Sequence, residues 1–256
     1  MLEKTTDAGK GRARGLERAF EILEFLRHTK RPLNPNEIAA GMGGPRSSIY
    51  ELVNLMLIHG ILEKDHGGQV FIGRKLYFLG NAYAERFDLG HEAEKLLDRL
   101  ATETRETSQL CMLDGNKYTV AQMVEGARPF RISSDVGEPV PIPWTASGRL
   151  LVMHMSDAEI LDFIPPEDFV QPNGQLLEPK AFLKQVAGAR RDGYFTQRSA
   201  TDTFTHCFAA PVMRENVCIA TLCLVAPKDD AAKNLKAYVK ALVDAAGALS
   251  HHSAIR

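Results

Sequence analysis

The stretch RSSIYELVNLMLIHGILEKDHGGQVFIG, residues 46–73, constrains the fold more than any other. Its first half places Ile49, Leu52, Val53, Met56 and Leu57 at helical spacing, and the pattern stops near Gly60. Its second half is two short β-prone pieces, ILEKD and QVFIG, parted by HGG, which reads as a β-hairpin. Upstream, Gly43-Gly44 allow a tight turn and Pro45 suits the start of the helix. Before that turn, EIAAGM reads as a short helix with Asn36 as its expected cap. Two helices joined by a glycine turn and followed by a hairpin form a winged helix-turn-helix. The second helix carries Arg46, Ser47, Ser48, Tyr50, Glu51 and Asn54 away from its apolar stripe, types that reach base edges and phosphates in a major groove. A winged fold used only for protein contacts is the bland alternative.

The rest of the chain sets the context. At 256 residues it is too long for one small domain, and 45% hydrophobic with 25% charged residues is ordinary for a globular protein. No apolar run reaches the ~18 residues of a membrane span, and MLEKTTDAGKGRARG lacks the apolar stretch of a signal peptide. A cytoplasmic location, with four free cysteines, is the expectation. A net charge of −1 does not suggest nucleic acid, but the charge is uneven. Residues 1–80 carry 12 Lys and Arg against 9 Asp and Glu, the remainder 19 against 23. The basic residues Lys10, Arg12 and Arg14 gather in the first 14 residues, which read as a flexible arm. From Leu16, an amphipathic helix is predicted with Leu16, Ala19, Phe20, Leu23 and Leu26 as its apolar face.

Two helical stretches between 75 and 110 follow, the first acting as a linker. Strand-like pieces QLCMLD, KYTVAQMVE and FRISS come next, then an irregular loop, GEPVPIPWTASG, leading into a short helix. Helices SDAEILDFI, capped by Ser156, and AFLKQVAGARRDG alternate with strands FTHCFAAPVM and VCIATLCLVAP before a last long helix. This mixture predicts an α+β domain. Cysteine and histidine spacing does not match common zinc sites, with His206 and Cys207 facing opposite sides of a strand. TASGR is not a nucleophile elbow and no phosphate-binding loop occurs, so no catalysis, metal or cofactor is expected.

The order GLERAFEIL, GGPRSSIYELVNLM, GQVFIGRKLYFLG, LLDRLATETRET, PIPWTASGRLL, RRDGY and HCFAAPV…IATLCLVAP resembles the IclR family of bacterial transcriptional regulators over residues 15 to about 250. The resemblance implies a winged helix-turn-helix (15–75), a linker helix (76–90) and a GAF/profilin-like effector-binding domain (91–256) behind the 1–14 arm. It also implies homodimers, often paired into tetramers, on palindromic double-stranded operators. Glu51 stands where relatives usually have Arg; it cannot hold a phosphate but can accept from a cytosine amine. Gln197 replaces an Asp common in relatives, and Cys223 and Val225 replace two serines.

On this basis Arg12 and Arg14 are expected to reach a minor groove, the second helix the major groove, and Lys64, His66 and Arg74 the phosphates. A small carboxylate, aromatic or sugar-derived, is expected among Phe130, Ile132, Val140, Trp144, Thr145, Ala146, Ser147, Gln197, Cys207 and Cys223. The helix start at WTASGR suits a carboxylate because it exposes unpaired N–H groups. The competing view is a DNA-binding or scaffold protein whose second domain serves only for oligomerisation.

Overall fold

The computed structural model describes residues 7–43, 45–86, 89–128 and 136–254. The chain divides into two compact units, Met1–Phe87 and Asp88–Arg256.

The first unit begins with α1 (Asp7–Thr29), followed by α2 (Pro35–Met42), α3 (Arg46–Ile58), a hairpin of β1 (Leu62–Lys64) and β2 (Val70–Ile72), and α4 (Arg74–Arg86). Its core is Ile22, Leu26, Leu33, Ile38, Ile49, Val53, Met56, Leu62 and Val70. Leu33 and Val70 exchange backbone hydrogen bonds of 3.0 and 2.7 Å, which ties the hairpin to the chain between α1 and α2. At the hairpin tip Asp65 Oδ1 accepts from the amides of Gly67 and Gln69, both at 2.9 Å, and Gly68 takes a positive φ of 76°.

Three expectations are corrected here. Residues 7–14 belong to α1, not to a flexible arm; Lys10, Arg12, Ala13 and Arg14 are good helix formers that extend a helix anchored further on. The buried line of α1 runs through Ile22 and Leu26, leaving Leu16 and Phe20 60% and 59% exposed. The cap of α2 is Asn34, not Asn36: its side chain accepts from the Glu37 amide at 3.0 Å, and Glu37 accepts from the Asn34 amide at 2.9 Å. Pro35 then occupies the first turn, where a missing N–H costs nothing.

In the second unit, α5 (Leu89–Thr104) precedes a six-stranded antiparallel sheet in the order β5-β4-β3-β8-β7-β6. The strands are β3 (Thr107–Asp114), β4 (Lys117–Val124), β5 (Pro139–Pro141), β6 (Phe195–Arg198), β7 (Thr205–Arg214) and β8 (Val217–Pro227). Between β5 and β6 lie α6 (Ala146–Leu151), α7 (Asp157–Phe163) and α8 (Pro179–Asp192); α9 (Lys228–Ala254) closes the chain. Alternation on β8 builds two cores: Leu222, Leu224 and Ala226 face α5 and α9, while Cys223 and Val225 face the α6–α8 side. The piece FRISS lies outside the described residues. The short strands β5 and β6 come from segments whose proline content or brevity gave no alternating pattern. This architecture is α+β, as the sequence predicts.

One position at the base of the hairpin demands glycine. A Cβ at Gly73 would sit 2.5 Å from the Gly60 carbonyl oxygen and 3.0 Å from that of Ile61. Gly73→Ala is therefore expected to destabilise the first unit by about 1–3 kcal/mol, the usual cost of forced overpacking. Urea unfolding followed by circular dichroism measures this, and an unchanged midpoint would contradict the close approach.

Candidate functional site

In the first unit the residues expected to face DNA fall on α1, α3, the hairpin and the start of α4. Arg46, Ser47, Ser48, Glu51 and Asn54 are exposed on α3, and Lys64 and His66 are exposed on the hairpin. Two residues have duties inside the unit. Tyr50 donates its hydroxyl to Asn36 Oδ1 at 2.6 Å, linking α3 to α2. Arg74 donates through Nε to Glu63 Oε1 at 2.6 Å, so its charge is balanced by the hairpin although its side chain is 78% exposed. The Arg18 guanidinium, not singled out in the sequence, donates to the Gly43 carbonyl at 2.9 Å and holds the turn between α2 and α3.

In the second unit, a cavity of about 170 Å³ opens beside the start of α6. Val140, Trp144, Thr145, Ser147, Cys207 and Cys223, six of the residues expected around a ligand, line it. Ala146 is buried but is not on the wall. Gln197 is not on the wall either: its Nε2 donates to the Trp144 carbonyl at 2.7 Å, so it steadies a wall residue. Phe130 and Ile132 lie outside the described residues. Sequence reasoning missed Gln109, Tyr118, Glu138, Asp202 and Thr205 as wall residues, while Val225, read beside Cys223, does lie on the wall. The available signal was the polar start of β3, where Thr107, Ser108 and Gln109 are all buried although polar.

The wall is held from outside. Trp144 donates its indole N–H to the carbonyls of Asp168 and Val170 at 2.9 and 3.1 Å, and the buried Asp168 carboxylate is paired with Lys117. Arg149, 2% exposed, donates to the carbonyls of Pro143 (2.8 Å) and Thr145 (2.6 Å) and twice to Gln185 Oε1 (3.1 and 2.9 Å). Its guanidinium carbon lies 5.1 and 5.3 Å from the ring centres of Phe182 and Phe195. Burial pulls its pKa down to about 9. Gly148 is obligatory in α6, because a Cβ there would overlap the Ile142 carbonyl.

The chemistry of the cavity is uncharged on one side and acidic at the other. Cys223 pairs with Gln109 and Ala209, Cys111 with Thr221, and Cys207 with Val225, so three thiols run diagonally across β3, β8 and β7. Burial pushes the thiols of Cys111, Cys207 and Cys218 up to about 12 and raises that of Cys223 well above its ordinary value; of the four, Cys207 and Cys223 line the cavity. They are neutral at pH 7. Burial likewise raises Tyr118, whose hydroxyl bonds Thr145. Burial raises the Asp202 carboxyl, but hydrogen bonds from Thr205, Ser199 and the Phe204 and Thr205 amides outweigh it and hold it below its usual range. No Lys or Arg is among the described wall residues.

A winged helix-turn-helix joined in one chain to an α+β unit with a small cavity defines a DNA-binding regulator with an effector domain. Residues 81–251 match the model for the bacterial transcriptional regulator IclR C-terminal region and residues 15–66 that for the IclR helix-turn-helix domain. The chain belongs to the IclR family of bacterial transcriptional regulators. It is 26% identical over 212 residues to the HTH-type transcriptional regulator XynR of Escherichia coli, covering 82% of this chain and 84% of that one. It is 24% identical over 196 residues to KipR of Bacillus subtilis, covering 76% and 78%. Among solved structures, an IclR homolog of Microbacterium hydrocarbonoxydans complexed with 4-hydroxybenzoate superimposes with a TM-score of 0.81 at 24% identity, covering 93% and 98%. The Thermotoga maritima IclR does so at 0.72 and 22%, covering 94% and 98%. No helix among the described residues is long and apolar enough to cross a membrane.

The buried thiols set a pH dependence. Each has a folded pKa above its ordinary value of 9.0, so the folded state binds more protons between about 9 and 12. That stability is fully present below pH 9 and is lost as pH rises toward 12. Arg149, lowered from 12.5 to about 9, acts in the opposite sense over the same window, but it is one group against four thiols. Urea unfolding under reductant is expected to show stability falling as pH rises from about 9 to about 11. The double variant Cys207→Ala, Cys218→Ala is expected to flatten that fall; an equal slope in both proteins would refute the linkage.

Proposed function

We propose that this chain is a ligand-responsive regulator in which α3 enters the major groove and a small organic acid occupies the cavity beside α6. Residues 15–75 form the reading domain, 76–90 the linker and 91–256 the effector domain. The observation that carries the effector half is the cavity itself. A cavity of ~150 Å³ accepts benzene, so about 170 Å³ suits one ring bearing small substituents. Neutral thiols and Val225 offer the ring an apolar, polarisable bed, and Thr145, Ser147, Tyr118 and Gln109 offer the carboxylate and any hydroxyl their partners. The 4-hydroxybenzoate bound to the M. hydrocarbonoxydans homolog supports the aromatic over the sugar-derived acid.

Arg46, Ser47, Ser48, Glu51 and Asn54 are the base- and phosphate-facing set of α3, with Lys64 and His66 of the hairpin on the backbone. Homodimerisation is supported by the apolar side chains left in water on α1 and α4: Leu16, Phe20, Tyr77, Phe78, Leu79 and Tyr83 are 53–67% exposed. A twofold dimer presents two α3 helices, and its operator is correspondingly palindromic. The ligand acts on DNA by binding one dimer geometry better than the other.

Thermal-shift screening of the full-length protein against aromatic carboxylates tests the effector. A ligand at 100 times its dissociation constant adds about 2.7 kcal/mol, roughly 5–10 °C. Ser147→Trp fills the cavity and is expected to abolish that shift while sparing DNA binding; intact ligand affinity in this variant would move the site elsewhere. On selected duplex DNA, Arg46→Ala is expected to weaken binding about tenfold or more and to lower the salt slope by about one. Unchanged affinity would remove Arg46 from the interface.

A further inference from the structure

The exposed side of α3 does not end with its polar residues. Opposite the buried line Ile49, Val53 and Met56, successive turns present Ser47, Glu51, Leu55 and Ile58. At about 100° per residue Leu55 lies roughly 40° around the axis from Glu51, and one turn, about 6 Å, further along. Leu55 keeps 51% of its surface exposed and Ile58 keeps 79%. Single exposed leucines are ordinary. This pair is not scattered, however: it continues the ridge begun by Ser47 and Glu51, on the face turned to the major groove in the function proposed above.

Only one base pair offers an apolar group in that groove, the A·T pair with its thymine 5-methyl. We infer that Leu55 is a specificity-determining residue that packs against a thymine methyl, about two base steps from the base read by Glu51, with 6 Å of helix spanning steps of about 3.4 Å. Glu51 accepts a hydrogen bond from a cytosine amine and Leu55 adds an apolar contact beside it, so the two residues together demand a C and a T at fixed separation. The inference rests on the reading of α3 as the groove-entering helix.

The test takes the full-length protein through selection from a random duplex library prepared in two forms, one with thymine and one with uracil throughout, which differ only in the 5-methyl. The thymine library is expected to yield one A·T position in each half-site whose preference collapses in the uracil library, while the cytosine position persists in both. In an isolated duplex, replacing that thymine with uracil is expected to weaken binding about fourfold, the value of one buried methyl-sized group. Leu55→Ala is expected to erase the thymine–uracil difference, and Leu55→Met, which keeps an apolar reach, to retain it. Equal binding of thymine and uracil at every A·T position overturns the inference, as does discrimination that survives in Leu55→Ala. If neither library yields a motif, the failure belongs to the reading of α3 itself, and the inference falls with it.

Discussion

The geometry of the effector cavity depends on one buried cation. Arg149 has been taken out of water without a carboxylate among its hydrogen-bond partners: its four hydrogen bonds end on carbonyl and amide oxygens, and two phenylalanine rings flank its plane. A guanidinium tolerates this better than an ammonium would, because it is weakly hydrated, planar and able to stack. From α6 its reach crosses to three other segments. The turn before α6 receives Nη1, Gln185 of α8 receives the fork of Nε and Nη2, and Phe182 of α8 and Phe195 of β6 supply the rings. Trp144, Thr145 and Ser147 stand where they do because the backbone that carries them is gripped at 143 and 145.

A second polar network holds the opposite face of the same sheet. Glu106, 1% exposed at the head of β3, accepts both Arg128 Nε contacts at 2.9 and 3.0 Å and the Tyr238 hydroxyl at 2.7 Å. Arg128 also pairs with Asp230 at 2.9 Å near the start of α9. Removing Arg128 would leave the Glu106 carboxylate buried without its cation, which costs more than the pair contributes. The sheet is thus fixed through an ion network on its α9 side and through Arg149 on its α6 side.

Much of this was legible in the residues, and the failures share a physical cause. Helix periodicity, the Ser156 cap with Glu159 three residues on, and the long apolar run of β8 are local signals, and each produced its element where expected. What depended on distant partners was not legible. Arg149 reads as a surface residue until α8 and β6 are folded over it. Leu16 and Phe20 fit an apolar stripe, yet the neighbouring helices meet α1 along a different line. Asn34 was overlooked in favour of Asn36 because the reciprocal bond to Glu37 is a pair property. Gln197 and Ala146 adjoin the cavity in sequence logic but not on its wall, since one supports Trp144 from behind and the other points into the core.

The grip of Arg149 falls on main-chain oxygens, and every amino acid carries the same main-chain oxygen. The contacts that Arg149 makes at 143 and 145 therefore do not depend on which side chains the neighbouring wall positions carry. Trp144 and Thr145 have tethers of their own, the indole on the carbonyls of 168 and 170 and the hydroxyl on the Gly148 amide, so wall positions without such a tether, Val140 and Val225 among them, are the ones most open to exchange. A scaffold arranged this way can acquire a new chemical signal by a few substitutions and keep its folding intact, so divergence in what is sensed need not pass through unstable intermediates.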